Sequence, residues 1–362
     1  MLRGDSSSAR RRAGIALVAA VGALAGALVL LGNPGNMGLC GACFVRDVAG
    51  ALRLHLGPAV FRPEVAGLVV GALLYSLISG RHVGRSGSHA GARFVLGVAM
   101  AIGALVFLGC PFRMLQRLGG GDLAAWLALP GFVAGVGLGR AFEQRGYSIG
   151  RTHEVPLAVG LCGPVAVAAT LTLFAFGGVL AGPGPGGAGP PAHAPWIAAL
   201  LLGGAAGAAL SATGFCGVNA ARQVFAGPRP MLVAAGALVV AFAAVLAIGG
   251  RFAPGLVGPI AHGDWPWNTL ALALVGLTGA LCGGCPVRLI VLTGEGNGDA
   301  FVAVMGLLVG GALAHSLGLA AAPAGDAGPG GPALAGKIAV TTLLVLTAAY
   351  AAAMPRRDVG AP

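Results

Sequence analysis

Ten apolar stretches follow one another along the chain, at about 13–31, 63–79, 93–109, 122–141, 155–176, 196–212, 230–249, 267–283, 299–318 and 334–353. Each is close to the ~20 residues that a helix needs to cross ~30 Å of hydrocarbon. Such a succession cannot be folded away inside a soluble domain, because 22 basic and 11 acidic residues in 362 are too few to clothe it. Charged residues make up 9% of the chain, against roughly 25% in an ordinary globular domain, and the mean hydropathy is +0.88. The expected fold class is therefore an all-α integral membrane protein of about ten transmembrane helices. The 66 glycines fit this class, since small residues let helix backbones approach closely in a bilayer.

The net charge of +11 is a topology signal. Arg and Lys lie singly or in short clusters between the apolar stretches, which excludes the continuous basic face of a nucleic-acid-binding domain. With the N-terminus in the cytoplasm, 15 of the 22 basic residues fall inside and 7 outside, the sense expected of positive-inside loops. Both termini are then cytoplasmic. The first stretch follows Arg10, Arg11 and Arg12 and is too long for a typical signal-peptide core, so it reads as the first helix.

A duplication organises the chain. Gly38-Leu39-Cys40-Gly41, with Arg46 six residues after the Cys, returns as Gly214-Phe215-Cys216-Gly217 with Arg222 at the same spacing. Gly109-Cys110-Pro111-Phe112-Arg113 returns as Gly284-Cys285-Pro286-Val287-Arg288. Both second motifs lead through glycines to an Asp, Asp122 and Asp299. An offset that spans five helices reverses the polarity of the second half, which is the pattern of an inverted repeat with its site at the repeat interface. The expected layout is a 5+5 inverted repeat with four short re-entrant helix-loops carrying Cys. Its parts are a cytoplasmic tail (1–12), a first repeat (13–176), a Pro/Gly-rich periplasmic connection (177–195), a second repeat (196–353) and a cytoplasmic tail (354–362).

The duplication also sorts the cysteines. Cys40, Cys110, Cys216 and Cys285 have repeat partners and are the primary candidates for a substrate path. Proline is favoured at the first turn of a helix, so Pro111 and Pro286 place Cys110 and Cys285 at N-caps, where free amides favour thiolate character or a bound anion. Arg113 and Arg288 follow one turn later and are candidate anion contacts, with carbonyl satisfaction or snorkelling as the plainer role. Gly109, Pro111, Gly284 and Pro286 shape the same turns and are secondary candidates. Arg46 and Arg222 read as structural, with Asp47 a partner for Arg46, and Glu295 reads as an interfacial acid rather than a coupling carboxylate. Cys162 reads as a small buried apolar residue.

Cys43 and Cys282 complete two C-x-x-C sequences with Cys40 and Cys285, which raises a membrane thiol-disulfide oxidoreductase or a soft-metal site as alternatives. Neither C-x-x-C is duplicated. The histidines show no ligand spacing and no nucleotide-binding fingerprint is present, so no metal, cofactor or enzymatic activity is expected.

Asn33-Pro34-Gly35-Asn36-Met37-Gly38-Leu39-Cys40, Cys43-Phe44-Val45-Arg46-Asp47 and Phe107-Leu108-Gly109-Cys110-Pro111-Phe112-Arg113, with Cys216 and Gly284-Cys285-Pro286, resemble the YeeE/YedE family over nearly the whole chain. The first block and Arg62-Pro63-Glu64 are most similar to its YedE branch, described as selenium transporters. The resemblance implies a bacterial inner-membrane transporter that imports a small selenium- or sulfur-containing anion. In the YeeE branch, thiosulfate is passed between thiols by S–H···S hydrogen bonds. On that pattern Cys40 is the outer contact, Cys110 the next, Cys285 the inner one and Cys216 its pseudo-symmetric companion, with a cytoplasmic acceptor protein collecting the cargo.

Overall fold

The computed structural model describes residues 3–178, 180, 191–326 and 328–354. Most of the 177–195 connection and of the 354–362 tail, and the start of the N-terminal tail, lie outside the described residues. The chain is mostly helical. Its first half contains α1 (Arg3–Leu30), α2 (Gly41–Ala51), α3 (Pro63–Ile78), α4 (Ala90–Val106), α5 (Pro111–Gly119), α6 (Leu123–Gln144) and α7 (Leu157–Gly177). Its second half contains α8 (Trp196–Thr213), α9 (Gly217–Arg222), α10 (Pro230–Ile248), α11 (Trp265–Cys282), α12 (Pro286–Gly294), α13 (Gly298–Ser316) and α14 (Leu334–Ala353). Two-residue strands β1 (Arg85–Ser86) and β2 (His153–Glu154) pair antiparallel.

Among the described residues, nine helical stretches are long and apolar enough to cross a membrane. The tenth expected crossing is α3, which is apolar but has only 16 residues. At 1.5 Å per residue it spans about 24 Å, short of the ~30 Å of bilayer hydrocarbon, and it carries Arg62 and Glu64 at its first turn. Both residues are fully buried. The first helix begins at Arg3 rather than near residue 13, so the tail expected for 1–12 continues it from Arg3 onward.

Four helix pairs make the body of the fold: α3 with α8, α1 with α10, α6 with α11 and α4 with α13. Close approach at these seams depends on glycine. A Cβ on Gly71 would run into the backbone of Gly204 on α8, and one on Gly306 into the backbone of Phe94 on α4. α4 and α11 are the most enclosed and touch each other at the centre, whereas α7 and α14 keep most of their surface exposed. That placement corrects the reading of Cys162. The buried side of α7 is Gly160, Gly163 and Pro164, so Cys162 is exposed on the outer face, with its thiol donating to the Ala158 carbonyl at 3.3 Å.

The four remaining helices, α2, α5, α9 and α12, are too short to cross a membrane. Each follows a motif cysteine. α5 and α12 stop at glycines in both halves, where the chain turns through Gly121 at φ +82° and Gly296 at φ +90°. These left-handed conformations are open to glycine without the Cβ penalty. The next helix then starts at Asp122 in the first half and at Asn297 in the second, and each caps it through its side chain. The positional counterpart of Asp122 is thus Asn297. Asp299 lies two residues further on, where it accepts bonds from Ser86, Gly87 and Ser88.

Candidate functional site: a group of thiols at converging helix ends

All four duplicated cysteines are helix N-caps: Cys40 of α2, Cys110 of α5, Cys216 of α9 and Cys285 of α12. For Cys110 and Cys285 the following proline dictates this, as expected. For Cys40 and Cys216 the signal is weaker, a Gly-Φ-Cys-Gly turn into a short helix. The four sulfurs are almost wholly removed from solvent.

The caps are shared between helices. The Gly41 amide, first in α2, donates to the Cys110 sulfur at 3.3 Å, and the Cys43 amide donates to the Cys40 sulfur at 3.3 Å. The Cys40 and Cys110 sulfurs are 3.6 Å apart, within reach of an S–H···S bond. In the second half the Cys285 amide donates to the Cys216 sulfur at 3.4 Å. The halves meet as well. A Cβ on Gly41 would lie 2.7 Å from Pro286 and from the Val287 amide, and one on Gly217 would lie 3.3 Å from Pro111. Helix N-termini from both halves therefore converge on one group of thiols. Each end carries a partial positive charge, so the place is electropositive.

Sequence reasoning missed Gln116, which sets the spacing. Its amide nitrogen donates to the Leu39 carbonyl and its oxygen accepts from the Leu39 amide at 3.1 Å. This two-way clamp fixes the backbone immediately before Cys40 onto α5, and so onto Cys110. Its place among Arg113 and Arg117, in a short polar segment between two apolar stretches, gave no signal of this role. Gln116→Ala leaves two buried backbone groups unmade, each costing about 1–3 kcal/mol. The expected result is a markedly lower unfolding midpoint in detergent together with faster labelling of Cys40 by a membrane-permeant thiol reagent.

Two further buried networks hold the same layer. Asn33 donates to Glu64 at 2.7 Å and to the Gly38 carbonyl at 3.0 Å, tying α3 to the loop that delivers Cys40. Asp47 receives Arg46 and Arg62, each at 2.7 Å, and Arg46 also bonds His315 at 2.9 Å. The structural reading of Arg46 with Asp47 holds. Arg222 is likewise structural, bonded to Glu143 and to the Ala280 carbonyl.

The two motif arginines part company. Arg113 was expected beside the thiols as an anion contact, but its guanidinium is enclosed and donates to four carbonyls, those of Asn36, Leu108, Pro259 and Ile260. Asn36, Leu108 and Ile260 are three of the four described non-glycine residues with positive φ, at 54°, 59° and 50°. Arg113 is a clamp on strained backbone, the plainer of the two roles weighed for it. In the second half the position of Leu108 is taken by Gly283, at φ +88°, which needs no such support. Arg288 is free to leave the turn and makes a two-pronged pair with Glu295 at 2.9 and 3.2 Å.

The secondary cysteines also differ. Cys43 lies in the first turn of α2 beside Cys40. Cys282 is the last residue of α11, and its carbonyl receives Arg93 at 2.9 Å. Among the described residues its sulfur makes no hydrogen bond to another thiol, and after the left-handed turn at Gly283 the Cys285 amide bonds the Cys216 sulfur instead.

No family model matches the chain, and no curated protein shows significant similarity to it.

Proposed function

We propose that this protein is a bacterial inner-membrane transporter that imports a small selenium- or sulfur-containing anion by handing it between the thiols of Cys40, Cys110, Cys216 and Cys285. The observation that carries this reading is that all four duplicated cysteines cap short helices whose N-termini meet, with the Cys40 and Cys110 sulfurs 3.6 Å apart. An anion entering a bilayer loses its hydration, which costs several kcal/mol per charge in a low-dielectric interior. Amide donors and helix N-termini offset that loss without adding a fixed cation that would trap the ion. Soft, polarisable sulfur suits a sulfur- or selenium-bearing ligand better than oxygen does. Handover by hydrogen bonding forms and breaks no covalent bond.

An inverted repeat fits the pairing of the helices. α3 packs on α8 as its counterpart α10 packs on α1, and α6 packs on α11 as its counterpart α13 packs on α4. On this reading α1, α3, α4, α6 and α7 correspond to α8, α10, α11, α13 and α14, and α2, α5, α9 and α12 are re-entrant. The count of basic residues puts the α3–α4 and α12–α13 connections on the cytoplasmic side, and Arg85 and Asn297 do pair across them.

The test is uptake of labelled thiosulfate and selenite into proteoliposomes holding the purified protein, with sulfate as the control that lacks an exposed soft atom. Uptake of either labelled ion above sulfate supports the reading, and equal rates for all three sink it. A thiol-disulfide oxidoreductase is the competing reading, and the bonding of Cys285 to Cys216 rather than to Cys282 disfavours it. Mild oxidation is expected to join Cys40 to Cys110 while Cys282 stays out of any disulfide, as read by peptide mapping. A Cys282–Cys285 disulfide as the main product would favour the redox reading.

A further inference from the structure

A pair of adjoining cavities, of about 490 and 460 Å³, opens beside the thiol group, at the end of the molecule where α1 begins and α3 and α8 end. They share Tyr75 and Arg81. Arg85 and Arg288 line the first, and Arg10 and Arg11 line the second. Glu295 is the one carboxylate on either wall, and it is already paired with Arg288. Among the described residues, Arg10, Arg11, Arg81 and Arg85 make no ion pair. Guanidinium groups lining adjoining cavities with no ion pair among the described residues repel one another, and a low-dielectric wall concentrates their field inward. An anion in the cavity relieves that repulsion.

The cavities also border chain segments next to the thiols. Phe215, immediately before Cys216, lines the second cavity, and Arg288, one turn after Cys285, lines the first. Ser211 and Tyr75 add neutral hydroxyl donors to the guanidinium groups. Space of this size holds a hydrated oxyanion, unlike the closed thiol layer behind it.

We propose that these two cavities form a binding vestibule for a small divalent oxyanion, held by Arg81 and Arg85, at which the transported ion is rehydrated next to Cys216 and Cys285. The inference rests on the transport reading for its direction, but the site itself stands on the cavity and its unpaired arginines. Fork-shaped guanidinium groups match the oxygens of thiosulfate or selenite and equally those of a lipid phosphate. The apolar wall at Ile15, Leu17 and Val18 lets an acyl chain approach, so the lipid source needs its own experimental arm.

The experiment titrates thiosulfate against the full-length protein in nanodiscs of phosphatidylcholine alone, by calorimetry, for wild type, Arg81→Gln/Arg85→Gln and the control Cys162→Ala. The expected result is binding by wild type that sulfate displaces, weakened more than tenfold in the arginine double variant and changed less than twofold in Cys162→Ala, which lies on the outer face of α7. Both arginines are exposed, so their replacement leaves the fold intact, which an unchanged melting profile verifies. Unweakened binding in the double variant overturns the proposal. So does absence of thiosulfate binding in phosphatidylcholine combined with retention of phosphatidylglycerol in native mass spectrometry, which makes the cavity a headgroup site. If uptake survives loss of Cys110 and Cys285 while the arginine variant loses binding, the thiol relay fails and the vestibule stands. If the cysteine variants lose uptake and the arginine variant keeps both uptake and binding, the vestibule alone fails.

Discussion

Uptake of labelled thiosulfate is expected to fall to background in Cys110→Ala and in Cys285→Ala, with both proteins remaining folded. Each substitution removes one sulfur from the shared caps and leaves the helices in place, because the proline at the following position still starts them. Neither thiol makes a cap bond to its own helix, so alanine at these positions removes no intrahelical cap and leaves the fold standing. The effect on transport is larger because the barrier depends on every contact along a dry path. A missing handover worth about 3 kcal/mol slows passage by roughly a hundredfold. Cys40→Ala behaves in the same way, and it exposes the unpaired Cys110 sulfur to faster alkylation. Cys162→Ala, on the outer face of α7, transports like wild type. Wild-type rates in both Cys110→Ala and Cys285→Ala end the relay mechanism.

The second large effect concerns two arginines that the duplication makes equivalent and the fold does not. Arg113→Met abolishes stable folding in detergent, whereas Arg288→Met shifts the melting temperature only slightly. Arg113 holds four carbonyls in an enclosed site, three of them on left-handed non-glycine residues. Removing it strands acceptors that each cost about 1–3 kcal/mol when unmade and withdraws support from conformations that cost about 1–2 kcal/mol per residue. Arg288 is partly exposed and pairs only with Glu295, an interaction worth about 0–1 kcal/mol. The second half suggests a partial remedy. Leu108→Gly, which copies Gly283, should return about 1 kcal/mol to an Arg113→Lys background and much less to wild type. Thermal unfolding of the four proteins measures this, and equal effects of Arg113→Met and Arg288→Met would refute the clamp.

Much of this protein is determined by its sequence alone. Apolar stretches of the right length bounded by charges specify a multi-pass membrane protein, because a bilayer tolerates little else. Nine of the ten expected stretches begin within a few residues of an observed helix, α1 alone starting well ahead of its stretch, and α3 is short, with Arg62 and Glu64 buried in the protein interior. The duplicated Gly-Cys-Pro turns foretold the caps on α5 and α12, since proline restricts what a chain can do there and little else does. Tertiary structure decided the rest. Gln116 reaches Leu39 across 77 residues, Asn33 reaches Glu64 across 31, and Arg113 reaches Pro259 across 146, and none of these partnerships leaves a periodic trace in the chain. The same motif Gly-Cys-Pro-Φ-Arg yields a buried clamp in one half and an arginine at a cavity wall in the other. The difference lies in the loop geometry each guanidinium meets, with Leu108 needing support where Gly283 does not, and only the folded chain brings Asn36 and Ile260 to the first of them.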